Sequence, residues 1–272
     1  MYPVKNQGGC GSCWAFAGNT ALEGTISIKK GTAPVRLSEQ QLVDCTTNTQ
    51  ANQNMFGQTY NTYGCGGGWM SYAWRFARDH GYMTNSSYPY TGRDDPCVHN
   101  NNATVGNVTS WGQITTSIED VKAKLDVQPL TVALDASSTA FQWYSSGVVQ
   151  ESDNCGTTLN HAVVLVGYTD SNGVAPGPDP NPNPEPEPNP APEPEPEPTP
   201  VSTCTVERWY HTCESSGARR LQDSAGDIDY WKVMNSWGTG YGVNGFIKIA
   251  ITEGTGVCGI NSVIEWVESN EY

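Results

Sequence analysis

The chain has 272 residues, enough to bury a substantial core in one large domain or two smaller ones. Its 28 acidic against 14 basic residues leave a formal net charge of -14, which argues against nucleic acid and anionic membrane surfaces as partners. No apolar run approaches the ~20 residues of a membrane-spanning helix. The first predicted element runs from Cys13 to Lys30, where Trp14, Ala15, Phe16, Ala21, Leu22 and Ile26 recur near helical spacing and no proline intervenes. Cys13 then falls in the first turn, where the positive end of the helix dipole favours a thiolate. Gly31-Thr32-Ala33-Pro34 stops this helix, and Ser38 followed by Glu39 and Gln41 starts another that runs to Cys45. Residues Thr46 to Tyr63, rich in Asn, Gln and Thr and without periodicity, read as a surface loop. Trp69, Tyr72, Ala73, Phe76 and Ala77 restore helical spacing until His80-Gly81 ends it.

From about Trp111 the pattern changes. Leu130 to Leu134, Ala162 to Val166, Tyr230 to Met234 and Gly245 to Ile249 are rich in β-branched and aromatic residues and read as strands, with a helix predicted over Ile118 to Leu125. From Pro176 to Pro200 proline takes every second position, interleaved mostly with Glu and Asn. Proline fixes φ and removes amide donors, so 174–203 is expected as a solvated arm, its Pro176 to Pro200 tract roughly 75 Å long if fully extended. Both its ends are tied to strands, so it must double back. The organisation expected is a helical unit over 1–110, a β-rich unit over 111–265 interrupted by an insert at 174–227, and a tail at 266–272. Within the insert, Cys204 to Cys213 form a small knot and a polar run follows to Asp227.

Four blocks carry a resemblance. Gln7-Gly8-Gly9-Cys10-Gly11-Ser12-Cys13-Trp14 comes first, followed by Leu37 to Cys45 with Gly64-Cys65-Gly66-Gly67-Gly68, then Asn160-His161-Ala162, and then Asn235-Ser236-Trp237-Gly238. In this order they resemble the papain and cathepsin cysteine proteases, closer to cathepsin L than to cathepsin B. The resemblance implies an α+β fold of two domains, a helical one and an antiparallel barrel-like sheet, with the active site in the cleft between them. It also implies that Cys13 attacks the peptide carbonyl, that His161 shuttles the proton, that Asn235 orients the imidazole, and that Gln7 joins the Cys13 amide in an oxyanion hole. Trp237 would shield the Asn235 to His161 bond. An imidazolium beside the thiol would keep the pair ionised at mildly acidic pH. Gly67 and Gly68 would pair with substrate backbone beside Asn160. Trp69, Met70, Ala133, Leu159, Ala162 and, at the floor, Val263 would wall an apolar pocket for the second acyl-side residue, taking Leu, Val or Phe and excluding Arg.

Nine cysteines leave one thiol free if the rest pair, and Cys13 is expected to be that one. The resemblance pairs Cys10 with Cys65, Cys45 with Cys97 and Cys155 with Cys258, so that Cys204 and Cys213 remain for each other. Such pairing needs an oxidising compartment, and sequons at Asn85, Asn102 and Asn107 point the same way, to the secretory route and a lysosome-like or extracellular location. Met1-Tyr2-Pro3-Val4 lacks a signal core, so an N-terminally truncated product is expected. The expected partners are protein or peptide substrates, cystatin-like inhibitors and a propeptide, with no cofactor, no metal and a monomeric state.

Each residue also has a plainer reading. Cys13 could be a buried structural cysteine, His161 a structural histidine, Asn235 a turn residue, Gln7 a loop glutamine and the glycine run a flexible turn. Two other functions fit parts of the chain. A thiol oxidoreductase would use Cys10-x-x-Cys13, but Cys65 then loses its partner and a βαβ context is absent. An inactive binding protein would offer the proline-rich arm to a partner's groove, but all four catalytic residue types are in place.

Overall fold

The computed structural model describes residues 4–114, 117–169 and 228–270, together with the backbone of 204–207 and 210–213. Its helical half is built on α1, Cys13–Lys30, which ends on Gly31 in the left-handed conformation with Lys29 and Lys30 in the last turn, where the helix dipole favours cations. Trp14, Ala21, Leu22 and Ile26 on α1 share one core with Met70, Ala73, Trp74 and Phe76. Helix α2, Glu39–Cys45, starts where Ser38 Oγ accepts the Gln41 amide at 2.9 Å. Disulfides Cys10–Cys65 and Cys45–Cys97 close loops with sequence separations of 55 and 52. Loops of that size constrain the unfolded chain by on the order of 4 kcal/mol each.

The segment expected as a plain loop holds a helix, α3, Gln50–Phe56. Thr49 caps it by accepting the Asn52 amide at 3.2 Å, Gly57 closes it with a positive φ, and Phe56 packs edge-on against Phe76 at 5.2 Å. Seven residues with one apolar anchor show no period, so the helix rests on its caps and on contacts from outside the segment. Helix α4, Met70–His80, runs back along α1 and is followed by the short pair β1, Tyr82–Met83, and β2, Thr104–Gly106.

The β-rich half contains α5, Ile118–Leu125, and α6, Thr139–Gln142. Its strands are β3, Val108–Ile114; β4, Leu130–Leu134; and β5, His161–Tyr168. A separate hairpin of β6, Cys204–Glu207, and β7, Tyr210–Cys213, comes next; then β8, Tyr230–Met234; β9, Phe246–Ala250; and β10, Ile264–Ser269. Six of these form one antiparallel sheet in the order β3-β10-β4-β5-β8-β9. Strand β10 returns from the end of the chain to lie between β3 and β4 and extends through Ser269. The expected tail at 266 and the boundary at 110 therefore both fall inside strands, because ladder hydrogen bonds rather than composition decide where these strands end. Side chains alternate between two cores. Ala162, Val164, Val166 and Val267 join the helical core, while Val163, Leu165, Val132 and Ile264 join a second core on the other face of the sheet.

Cys155–Cys258 closes a third loop. The hairpin register sets Cys204 opposite Cys213. The proposed bond between them, the arm at 174–203 and the polar run to 227 lie outside the described residues. Of the three sequons, Asn102 is exposed, whereas Asn107 Nδ2 donates to the carbonyls of Ala77 at 3.3 Å and Arg78 at 3.2 Å, bonds that a glycan on that nitrogen would disturb.

Candidate active site

Before entering α1 the chain is stitched to the loop after β8. The Gln7 amide donates to the Ser236 carbonyl at 2.8 Å, the Gly238 amide donates to the Lys5 carbonyl at 2.9 Å, and Asn6 bridges Trp237. Gly11 then passes against Cys65, its amide on the Cys65 carbonyl at 2.9 Å; a Cβ would stand 2.5 Å from that oxygen, so glycine is required. The next turn delivers Cys13 to the first helical position, with the one free thiol among the described cysteines. Burial pushes this thiol up, against the backbone amides of Ala162, Trp14 and Cys13 itself, which favour the thiolate. The Ala162 contact sets the sulfur beside the start of β5, next to His161.

The His161 imidazole is buried, and its Nε2 donates to Asn235 Oδ1 at 2.8 Å. An amide oxygen accepts, so Nε2 carries the proton and Nδ1 is the basic nitrogen. Asn235 Oδ1 also accepts the Ser236 amide at 2.8 Å, which holds it in place. Around the ring, Trp237 lies with centroids 5.0 Å apart and Phe141 meets it edge-on at 5.9 Å. Trp237 in turn meets Phe141 and Tyr241 at 5.5 and 5.0 Å, and the Tyr241 hydroxyl donates to the Phe141 carbonyl at 2.9 Å. Burial in these rings pushes His161 down, against the Asn235 bond.

Gln7 is held at both ends of its amide. Nε2 donates to the Cys10 carbonyl at 3.0 Å and Oε1 accepts the Ser236 hydroxyl at 2.5 Å, which fixes the amide's orientation. An amide nitrogen has two hydrogens, so a second donor remains for a ligand.

The residues expected at the substrate subsites are placed unequally. Gly68 is pressed on the Trp14 indole, where a Cβ would stand 2.6 Å from the ring, and Gly67 is half-buried with a positive φ. Trp69, at the start of α4, is half-buried, and its indole N–H donates to Glu265 Oε1 at 3.2 Å. Met70 is 0% exposed, so it backs Trp69 from within the core and presents no surface. Ala133 and Ala162 pair across β4 and β5, and the Ala133 amide donates to the half-buried Val263 at 3.2 Å. Leu159 is half-buried. Asn160 is exposed, but both ends of its amide serve the loop after β4. Its Nδ2 donates to Asp135 Oδ1 at 3.0 Å, and its Oδ1 accepts the Ala136 amide at 2.9 Å. Sequence reasoning missed Phe141, Tyr241, Ser236 as the partner of Gln7, and Glu265. Ser236 lay inside a block already singled out, whereas nothing local marks the other three.

A family model described as papain family cysteine protease matches residues 1–176 and 202–266. Digestive cysteine proteinase 1 of Homarus americanus is 34% identical over 95% of this chain and 61% of its own length. Cathepsin L of Sarcophaga peregrina is 36% identical over 94% of this chain and 57% of its own length. The chain thus spans well under two thirds of these relatives. Among solved structures, bromelain protease from Ananas comosus in complex with the E64 inhibitor superposes with a TM-score of 0.67 at 29% identity, covering 98% of this chain and 93% of that one.

Proposed function

Since the chain belongs to the papain family of cysteine proteases, with the α+β fold of that family, we propose that it is an endopeptidase in which Cys13, His161, Asn235 and Gln7 carry the chemistry. The observation that carries this reading is a free thiol at the amino end of α1, touched by the Ala162 amide, next to an imidazole whose Nε2 is held by Asn235 at 2.8 Å. Burial alone favours the neutral form of each group, since it raises Cys13 and lowers His161. Ionising both together replaces two separate desolvation costs with one ion pair, and the amides at the head of α1 add to the thiolate side.

In the cycle we propose, the Cys13 proton moves to His161 Nδ1 and the thiolate attacks the carbonyl carbon. The carbonyl oxygen, now anionic, accepts from the Cys13 amide and from the second Gln7 N–H. His161 returns its proton to the leaving amine as the C–N bond breaks, leaving a thioester. Water then loses a proton to His161 and attacks, and the sulfur leaves to regenerate the thiol. Gly67 and Gly68 offer backbone to an extended substrate, beside Trp237 and Asn160. Trp69, Ala133, Leu159, Ala162 and Val263, with Met70 behind, form an apolar pocket for the second acyl-side residue. Burying a Leu, Val or Phe side chain there contributes ~1.5 to 3 kcal/mol.

The same cleft is the place we assign to a propeptide and to cystatin-like inhibitors, with the chain acting as a monomer. Three disulfides support a secretory, lysosome-like or extracellular location. Titration with an epoxysuccinyl inhibitor, followed by peptide mapping, tests the reading: one equivalent should attach to Cys13 and abolish peptide hydrolysis. Full turnover after stoichiometric labelling, or labelling elsewhere, would overturn it.

A further inference from the structure

The loop that delivers His161 to the head of β5 has no core of its own. Gly156, Thr157, Thr158 and Asn160 are exposed and Leu159 is half-buried, so burial does little to fix where the chain stands as it enters the strand. A disulfide to Cys258 holds the loop's far end at Cys155. Between that bond and His161 the loop leans on one carboxylate, that of Asp135, which follows β4 directly and is buried. The Thr158 amide donates to Asp135 Oδ2 at 3.1 Å and Asn160 Nδ2 donates to Oδ1 at 3.0 Å. From the other side, the Ser137 amide and hydroxyl donate to Oδ1 at 3.0 and 2.5 Å. A Cβ on Gly156 would collide with Oδ2, so the loop comes closest to the carboxylate at a residue without one. The Asp135 amide donates to the Cys258 carbonyl at 2.8 Å, which ties the same residue to the partner of the disulfide.

The two segments gripped in this way are those that place the imidazole. Asn160 precedes His161, its amide donates to the Leu134 carbonyl at 3.0 Å, and His161 lies opposite Leu134 in the register of β4 and β5. Ser137 leads into Ser138, whose Oγ accepts the Phe141 amide at 3.2 Å at the start of α6, and Phe141 is the ring that meets the imidazole at 5.9 Å and Trp237 at 5.5 Å. One side chain thus spans the backbone root of the imidazole and the ring packed against it. Donors on both oxygens call for a group that only accepts: an amide in its place would turn its NH2 toward an N–H whichever way it lay. The hydrogen bonds, those of Ser137 first, hold the Asp135 carboxyl below the usual carboxylate range, against the effect of burial.

Resting on the peptidase reading above, we infer that Asp135 is a positioning residue for His161, whose carboxylate fixes the entry to β5 through Thr158 and Asn160 and the Phe141 ring through Ser137. It touches neither substrate nor the reacting atoms. Its work is to keep two otherwise independent loops in one register, so that Nδ1 stays aimed at the Cys13 sulfur while Nε2 stays on Asn235.

The test uses the full-length protein processed to its active form, with active sites counted by epoxysuccinyl titration and assays run well below the melting midpoint. Asp135→Asn keeps the volume and loses the charge and one acceptor. It should lower kcat per active site by roughly tenfold or more on a short peptide while KM stays within about twofold. In protein labelled with 15N-histidine, the His161 Nε2–H resonance should be sharp in wild type and broadened by exchange with water in the variant, since the bond to Asn235 then opens more often. Where Asp135→Asn does not fold, Ser137→Ala, which removes one hydroxyl donor at the surface, carries the test, with an expected loss of about two- to threefold in kcat and the same broadening. A lowered melting midpoint with unchanged kcat and a sharp resonance would mean that Asp135 only braces the fold. A risen KM with unchanged kcat would mean that it shapes the substrate site. Either result overturns the assignment while the peptidase reading stands. Absence of a titratable thiol and of any turnover in wild type overturns both.

Discussion

The two walls of the proposed cleft hold the groups we assign to catalysis, the Cys13 thiol and the His161 imidazole, by different means. On the helical wall the sulfur is set by backbone: a disulfide at Cys10, a glycine that passes within contact of Cys65, and the first turn of α1. The segment leading there is anchored by Lys5, half-buried between Glu23 at 2.6 Å and Glu39 at 2.5 Å. On the sheet wall the imidazole is set by side chains, one amide oxygen and a stack of three rings. A backbone-set group keeps its place until the fold fails, whereas a group set by side chains loses alignment stepwise. Substitutions should therefore act on the helical wall through chemistry or stability, and on the sheet wall through graded loss of rate.

The largest effect should follow from removing the sulfur itself. Cys13→Ala should cut kcat by on the order of 10⁵-fold or more in peptide assays while leaving the thermal midpoint close to wild type, and retained turnover would dissolve the contrast between the walls. Gln7→Ala, which removes one oxyanion donor, should cost about 10² to 10³ in kcat with KM little changed. If KM rises instead, Gln7 binds substrate in the ground state.

On the sheet wall, Asn235→Ala frees the imidazole but leaves its rings, and a loss of roughly 10- to 100-fold in kcat is expected, short of that for Cys13. Tyr241→Phe removes only the hydroxyl that meets the Phe141 carbonyl and the Asn235 side chain, two residues that both contact His161. About a two- to fivefold loss measured in the same assay would show that this hydroxyl helps align the imidazole, whereas no change would show that packing alone suffices.

The anchor of the helical wall is read in stability rather than in rate. Burial pushes Glu23 up to about 7 from an ordinary 4.5, with Lys5 acting to lower it. Between those values the folded protein keeps a proton that the unfolded chain has released, so this group's contribution to stability is full below pH 4.5 and falls as pH rises through about 7. Glu23→Gln cannot titrate. The stability difference between wild type and Glu23→Gln, followed by denaturant melts from pH 4 to 8, should move steadily against wild type as the pH rises. A flat difference would show that Glu23 titrates in the fold as it does in the unfolded chain, its burial offset by Lys5.

Much of this arrangement was legible before folding. Apolar spacing from Trp14 to Ile26, with no proline and a stop at Gly31, marks α1 and therefore puts Cys13 at its head, because a helix buries one stripe and that stripe is written locally. The same logic marks α4, α5, β4 and β8, and the four ordered blocks contain the residues to which we assign the catalytic roles. The helix inside 46–63 was not legible, since its anchors, the Phe76, His80 and His99 rings on Phe56 and the Asp44 carbonyl on Asn52, lie outside the segment. Nor was the place of β10: pairing with β3 and β4 is a choice among distant strands, and a local pattern records which side of a strand is buried, not against what. That choice turns Glu265 toward Trp69 and closes the sheet under α1. The Gln7 to Ser236 bond and the rings around His161 likewise join residues far apart in the chain, and their partners were chosen by three-dimensional packing, which alone brings such groups within reach of one another.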